Sequence, residues 1–228
     1  MRTYFRLFTS ALAAAAVFSG CGKSDGSDTP SEPDPAEKTY SVGDYYEKGF
    51  VKGLVISTDE KGEHGLIISL NEYEAAWAYR NENVMDGQPG TGQYNTGCVR
   101  NLKDWKDYYP AFERATSANV GALKDWFLPS MNELASLYKA YTGRDVNDVE
   151  DGTGSTKAGM SEGESKAWLN KCLADNHGAA ISDNVYWSSN EIGPSIASAF
   201  DIRAGASLDV PSDLDKKKVY KVRAMASF

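Results

Sequence analysis

Apolar runs near the start of the chain predict β-strands. They cover residues 40–46, 53–57 and 65–70, and a glycine- and charge-rich turn at residues 59–63 separates the last two. Two such runs around a short turn are typical of a hairpin. The nearly continuous Val, Ile and Leu content predicts strands covered on both faces, so we expect helices against one side of the sheet.

Helical signals follow in the middle of the chain. Pro110 suits the first turn of a helix, where its missing N–H costs nothing. Ser130 and Glu133 form a Ser-x-x-Glu capping box, in which each side chain accepts a hydrogen bond from the other residue's backbone N–H. Helical spacing then places four apolar side chains on one face: Leu134, Leu137, Tyr138 and Tyr141.

The second half of the chain predicts a loop, another helix and returning strands. Residues 142–163 lack periodicity and favour a long loop, and residues 164–176 predict a helix that ends at Gly178. Strands are expected over residues 185–189, 197–202 and 219–228, the last with strict period-two alternation. The order of strands, then helices with long loops, then strands again indicates an α+β fold, with an antiparallel sheet, two or three helices and long loops. We expect the last strand to pair near the first, so that the two ends of the domain lie together.

The N-terminus has the pattern of a secretory signal. Arg2 and Arg6 precede a mostly apolar stretch over residues 7–18, which is too short to span a bilayer. Ser19-Gly20-Cys21 resembles the lipobox of bacterial lipoproteins, in which the cysteine is acylated and becomes the first residue. An ordinary cleaved signal with a chance cysteine is the alternative. The predicted organisation is a signal peptide over 1–20, lipidated Cys21 with a disordered tether over 21–39, and one domain over 40–228.

The charge of the chain argues against nucleic-acid binding. Its 228 residues include 24 basic and 32 acidic side chains, a net charge of −8. Removal of residues 1–20 takes away two arginines and leaves −10. A domain of that sign repels phosphate backbones and anionic membrane surfaces. We therefore expect no nucleic-acid partner, and a membrane association through the lipid anchor alone.

Two segments carry a resemblance to a known family. The first is the run from Trp126 through Leu128, Pro129, Ser130 and Glu133, and the second begins at Tyr186-Trp187-Ser188-Ser189, before a closing Val222-Arg223. Over about residues 95–228 the chain resembles the domain of Gram-negative surface lipoproteins and the C-terminal region of Lcl-type collagen-like adhesins. That resemblance implies a C-type-lectin-like fold. It also implies structural roles for Trp126, Leu128, Pro129 and Trp187, and a structural ion pair for Arg223.

The sequence offers little reactive chemistry. His64 and His177 have no partners at metal-ligand spacing and are expected at the surface or at a helix cap. The acid run at residues 145–152 departs from the EF-hand pattern, so a solvated loop is expected there, without metal or other cofactor. Lys216-Lys217-Lys218 is interpreted as a charge run that keeps an edge strand soluble. Cys98 and Cys172 form an even pair, and a disulfide and two separate buried thiols are both left open.

The favoured function is a non-catalytic binding or adhesion domain on a lipid tether, located in the cell envelope at the outer membrane and displayed at the surface. Polar loop residues are the candidates for ligand contact: Asn190, Glu191, Asp201, Arg203 and Asp209. Because the candidate loops are acidic, we expect a neutral glycan or a protein ligand rather than a sulfated polysaccharide. The alternative is an envelope enzyme related to formylglycine-generating or hydrolase-type proteins.

Overall fold

The computed structural model describes residues 38–85, 90–118, 126–146, 159–210 and 212–228. The predicted signal peptide, Cys21 and the tether up to residue 37 therefore lie outside the described residues. The described residues fall in one compact unit. Within them, no helix combines the length and the apolar character needed to cross a bilayer.

Strands from both halves of the chain form two sheets. In the described ranges the strands are β1 (Tyr45–Lys48), β2 (Val51–Thr58), β3 (Gly65–Ser69), β4 (Tyr73–Ala76), β5 (Val185–Glu191), β6 (Ala197–Asp201), β7 (Ala206–Ser207), β8 (Val219–Val222) and β9 (Met225–Ser227). The first sheet has the order β1-β2-β3-β9 and is antiparallel throughout. The second has the order β4-β8-β5-β6-β7, in which only β5 and β8 run parallel. The predicted hairpin is confirmed as β2 and β3.

Five helical segments occur in the described ranges: α1 (Gly92–Arg100), α2 (Trp105–Tyr108), α3 (Pro110–Thr116), α4 (Met131–Thr142) and α5 (Glu162–Asp175). Pro110 begins α3, as predicted. Both hydrogen bonds of the Ser130–Glu133 capping box are present at α4. A second capping box, between Ser161 and Glu164, begins α5 earlier than the sequence pattern predicted. At the far end of α5, His177 rather than Gly178 takes the positive φ, at 59°.

The last segment of the chain is two strands rather than one. β8 belongs to the second sheet and β9 to the first, and the buried residues Arg223 and Ala224 lie between them. Met225 and Ala226 are also both buried, since β9 is covered on both of its faces. The last strand pairs with β3, not with β1. The two ends of the domain nevertheless meet, because the rings of Tyr40 and Phe228 lie 5.3 Å apart.

The core has two apolar clusters. One contains Trp77, Trp126 and Trp187, and the other is built on the apolar face of α4. Cys98 packs beside the first cluster and Cys172 beside the second. No disulfide joins these two cysteines. Of the two alternatives left open by the sequence, the structure therefore has separate thiols.

Candidate functional site

Asn190, one of the predicted ligand contacts, makes a hydrogen bond within the fold. Asn190 Oδ1 accepts a hydrogen bond from the backbone N–H of Met131 at 2.8 Å, at the start of α4. Ser189 N–H donates to the carbonyl of Pro129 at 2.7 Å. These contacts join the two motif segments on which the family resemblance rests. Asn190 is thus a structural link between β5 and α4 in this structure.

Glu191 and Lys216 form a buried ion pair. The Lys216 Nζ lies 2.5 Å from Glu191 Oε1, and the two side chains are 0% and 3% exposed. The same Nζ donates to the carbonyls of Glu82 and Pro194 and lies 4.5 Å from the centre of the Trp77 ring. Burial lowers the pKa of Lys216, and the Glu191 carboxylate acts in the opposite direction. The prediction of a solubilising charge run is wrong for Lys216, because its side chain is fully buried and paired with Glu191. Lys217 and Lys218 are exposed.

The second oxygen of Glu191 fixes the segment that follows β4. Glu191 Oε2 accepts hydrogen bonds from the backbone N–H groups of Val84 and Met85, both at 2.8 Å. Nearby, the Tyr109 hydroxyl donates to Glu82 at 2.6 Å. Burial, followed by that hydrogen bond, raises the pKa of Tyr109 above its usual range. Glu82, Glu191 and Lys216 therefore have hydrogen-bond partners within the domain.

The remaining predicted contacts lie around β6 and β7. Asp201 and Arg203 form a two-pronged pair, with Arg203 Nε and Nη2 at 2.8 and 2.6 Å from the carboxylate oxygens. Hydrogen bonds from Arg203 lower the pKa of Asp201. Asp209 is exposed. Because Arg203 pairs with Asp201, the charges of these two residues compensate each other.

Arg223 has the structural ion pair that the resemblance implied. Its guanidinium is 0% exposed and lies 3.0 Å from Glu72. It also donates to the backbone carbonyls of Ser69, Ala179 and Ala180. The guanidinium therefore joins β3, the end of α5 and the bend between β8 and β9.

The candidates for metal chemistry add no site in the described ranges. His64 and His177 are both exposed, as expected. Most of the acid run at residues 145–152 lies outside the described residues. Among all the residues that the structure describes, no cluster of His, Cys, Asp or Glu could hold a metal ion.

A pocket that the sequence analysis did not identify lies between α1 and the segment before α4. Its volume is about 400 Å³. It is lined by Gln93, Thr96, Gly97, Arg100, Asn101, Trp126 and Phe127. We call it the α1 pocket. The first four residues recur at helical spacing in α1, and Asn101 follows as its C-cap. This largely polar spacing was the available sequence signal.

Close backbone contacts hold the two walls of the α1 pocket together. The Gly92 N–H donates to the Glu133 carboxylate at 3.0 Å, which ties the start of α1 to the capping box of α4. A Cβ at Gly92 would lie 2.5 Å from the carbonyl oxygen of Leu128, so only glycine fits there. The backbone N–H of Leu128 in turn donates to the Thr96 hydroxyl oxygen at 3.1 Å. These contacts fix the position of α1 against the segment before α4.

Trp126, one of the lining residues of the α1 pocket, carries a buried donor without a partner. Trp126 is 1% exposed, and its indole Nε1 has no hydrogen-bond partner among the described residues. The Trp77 and Trp187 indoles, by contrast, donate to the carbonyls of Ser188 and Ala75. Buried indole N–H groups usually find a partner. The Trp126 indole N–H is thus an exception among the three buried tryptophans named here.

Comparison with known proteins gives a likeness of fold. No protein-family model matches the chain, and no curated protein matches it. A fimbrial protein from Bacteroides ovatus has a similar structure, with a TM-score of 0.56 and 15% sequence identity. The likeness covers 83% of this chain and 49% of that chain, so this chain spans about half of that protein's length. The fold is α+β with mainly antiparallel sheets.

Proposed function

We propose that this protein is a lipid-anchored component of the cell envelope whose domain is displayed at the surface and binds a ligand without catalysing a reaction. Its ligand in this proposal is a neutral glycan or a protein. The observation that carries the adhesion-type role is the likeness of fold to a fimbrial protein. The lipid anchor is proposed from the lipobox-like sequence that ends at Cys21.

Contacts between the motif segments support a C-type-lectin-like assignment for the domain. The segment from Trp126 to Glu133 and the strand that contains Trp187 are joined through Pro129–Ser189 and Met131–Asn190 hydrogen bonds. The charged residues beside them pair with one another in the described part of the chain. Such an arrangement supplies a rigid scaffold, which suits binding better than acid–base chemistry.

A fractionation experiment tests the anchor. Acyl chains contribute about 0.8 kcal/mol per buried methylene, so several chains hold a protein on a bilayer almost permanently. We expect the wild-type chain in the membrane fraction and a Cys21→Ala variant in the soluble fraction. Cys98→Ala is the matched control, because it removes a thiol from the domain and should leave the protein membrane-bound. Full membrane retention of Cys21→Ala would contradict the proposal.

A binding screen tests the adhesion-type role. Intact cells that produce the wild-type chain are applied to arrays of neutral glycans, sulfated glycans and purified proteins, with cells lacking the chain as the control. We expect chain-dependent retention on neutral glycans or on proteins. Retention on sulfated glycans alone, lost steeply as salt is added, would contradict the expected class of ligand.

A further inference from the structure

We propose that Lys216 and Glu191 condense to an amide, so that the mature domain carries a covalent cross-link between these two side chains. This inference goes beyond the proposed binding function and does not depend on it. Four features carry the argument: the closeness of the reacting groups, the hydrogen bonds on the far oxygen of the carboxylate, the exclusion of water, and the removal of two buried charges by the reaction.

The fold holds the amine and the carboxylate within reaction distance. Lys216 Nζ lies 2.5 Å from Glu191 Oε1. The same Nζ donates to the carbonyls of Glu82 and Pro194, both at 3.0 Å, so its position is restricted from three sides. Groups held in this way react as if at concentrations of about 10⁵–10⁸ M in favourable cases. The fold therefore supplies the proximity that a condensation between free molecules in water lacks.

The second carboxylate oxygen has the surroundings of an oxyanion site. Glu191 Oε2 accepts hydrogen bonds from the backbone N–H groups of Val84 and Met85, both at 2.8 Å. When an amine adds to a carboxyl carbon, negative charge develops on the oxygen that stays, and two such donors stabilise that charge. Oε1, which contacts Lys216, is the other oxygen. The contacts thus distinguish an oxygen that stays from an oxygen that leaves.

Water is excluded from the pair. The side chains of Lys216 and Glu191 are 0% and 3% exposed, and Nζ lies 4.5 Å from the centre of the buried Trp77 ring. Burial lowers the pKa of Lys216, which favours the neutral amine that acts as a nucleophile. A dry site also preserves the amide once it has formed, because hydrolysis needs a water molecule at the carboxyl carbon.

The condensation needs no further reactant. One proton first passes from Lys216 Nζ to Glu191 Oε1, which leaves an uncharged amine and an uncharged acid. The lone pair of Nζ then forms a bond to the carboxyl carbon of Glu191, Cδ. The Cδ–Oε1 bond breaks, its electron pair stays with Oε1, and a second proton moves from Nζ to that oxygen. Oε1 leaves as water, and Nζ keeps one hydrogen.

The product fits the same surroundings without charge. The amide oxygen is the former Glu191 Oε2, which keeps its two backbone N–H donors. The amide N–H donates to one of the two carbonyls that held the ammonium, and the other carbonyl loses its donor. Keeping an ionised pair out of water costs more than leaving one carbonyl without a donor. Condensation therefore removes the larger of the two penalties.

The cross-link joins two segments that are distant in the sequence. Glu191 ends β5, and Lys216 lies 25 residues later, before β8. Because the reaction requires the folded site, newly folded chains hold the ion pair and the amide accumulates afterwards. A covalent bond across this loop restricts the unfolded chain and so opposes unfolding. That property suits a domain that transmits load between a ligand and a membrane anchor.

Peptide mapping of the full-length chain tests the cross-link. Trypsin cleaves after Lys and Arg, so an unmodified chain yields separate peptides for residues 172–203 and 204–216. Trypsin does not cleave after an acylated lysine. A cross-linked chain therefore yields one branched peptide, made of residues 172–203 and 204–217 and lighter than their sum by one water. Chains recovered from inclusion bodies and kept in concentrated urea are the unfolded control.

An exposed pair provides the control for closeness alone. Lys171 Nζ lies 2.6 Å from Asp175, but these side chains are 70% and 58% exposed, so no amide is expected between them. Asp175→Asn should leave the branched peptide unchanged, because it keeps every tryptic site and alters only the exposed pair. Lys216→Met should abolish the branched peptide.

We expect the branched peptide to be the major form in folded chains after a week at growth temperature, and to be absent from the urea control. Fragmentation should place the bond between Glu191 and Lys216. Only linear peptides in the aged folded chain would overturn the inference, and so would a loss of water that maps to other residues. The wild-type result decides by itself, so a Lys216→Met protein that fails to fold leaves the test intact. Cell adhesion by a chain with only linear peptides would leave the proposed function standing.

Discussion

Removal of one partner from the buried Glu191–Lys216 pair should destabilise the domain strongly. In Glu191→Ala the Lys216 ammonium would remain at 0% exposure without its carboxylate. The backbone N–H groups of Val84 and Met85 would lose their acceptor as well. Breaking a buried pair from one side costs about 3–5 kcal/mol. We therefore expect Glu191→Ala to lower the free energy of unfolding by about 4 kcal/mol.

The double variant Glu191→Gln with Lys216→Met distinguishes the stability cost of an unpaired buried charge from the cost of lost packing. Glutamine keeps a side-chain oxygen for the two backbone N–H groups, and methionine fills much of the lysine volume without a charge. Because an apolar or neutral replacement of a whole buried pair is often close to neutral, we expect most of the lost stability to return. Urea denaturation of Glu191→Gln, Lys216→Met and the double variant gives this cycle.

An exposed ion pair provides the control for this cycle. Lys171 and Asp175 lie on the surface of α5, with side chains 70% and 58% exposed. Lys171→Met should leave the urea midpoint unchanged, because solvent screens such a pair. A loss of less than about 1 kcal/mol in Glu191→Ala would contradict the cost of an unpaired Lys216. A double variant as unstable as Glu191→Gln and Lys216→Met added together would show that the two side chains are not coupled.

Other predictions follow from the core, the surface and the cysteines. Trp187→Ala and Trp126→Ala should each cost about 3–5 kcal/mol in urea denaturation, since these side chains are 0% and 1% exposed; an equally stable variant would contradict a core role. Arg203 lowers the pKa of Asp201, so this pair stabilises the fold above the unfolded carboxyl pKa, about 3.9, and that contribution is lost as the pH falls through the folded value. Asp201→Asn should therefore make the fall of the melting temperature between about pH 4 and pH 2 shallower, and an unchanged slope would contradict this. Intact-mass analysis without reductant should find no bond between Cys98 and Cys172.

Local patterns predicted the parts of the fold that depend on neighbouring residues. The Ser130–Glu133 capping box, Pro110 at the start of α3 and the β2–β3 hairpin all depend on residues a few positions apart. The same pattern at Ser161 and Glu164 was available and moves the start of α5 to Glu162. Such signals work because caps and tight turns are satisfied within a few residues.

Features that depend on distant partners were not predictable in this way. A run of three lysines resembles a solvated surface, and only the fold brings Glu191 and the Trp77 ring onto Lys216. The alternation over residues 219–228 indicates a single strand, yet the strand is interrupted at Arg223, whose guanidinium donates to carbonyls of two distant segments. The α1 pocket depends on the placement of α1 against Trp126 and Phe127. The largely polar spacing of α1 was visible in the sequence, but its position against Trp126 was not.

The proposed function is tested by the retention of intact cells on neutral-glycan and protein arrays, compared between the wild-type chain and Cys21→Ala at equal protein levels. We expect wild-type cells to be retained and Cys21→Ala cells not to be, because the released domain no longer connects the ligand to the cell. Equal retention of the two cell types, or no chain-dependent retention on either array, would contradict the claim that this is a lipid-anchored binding domain displayed at the surface.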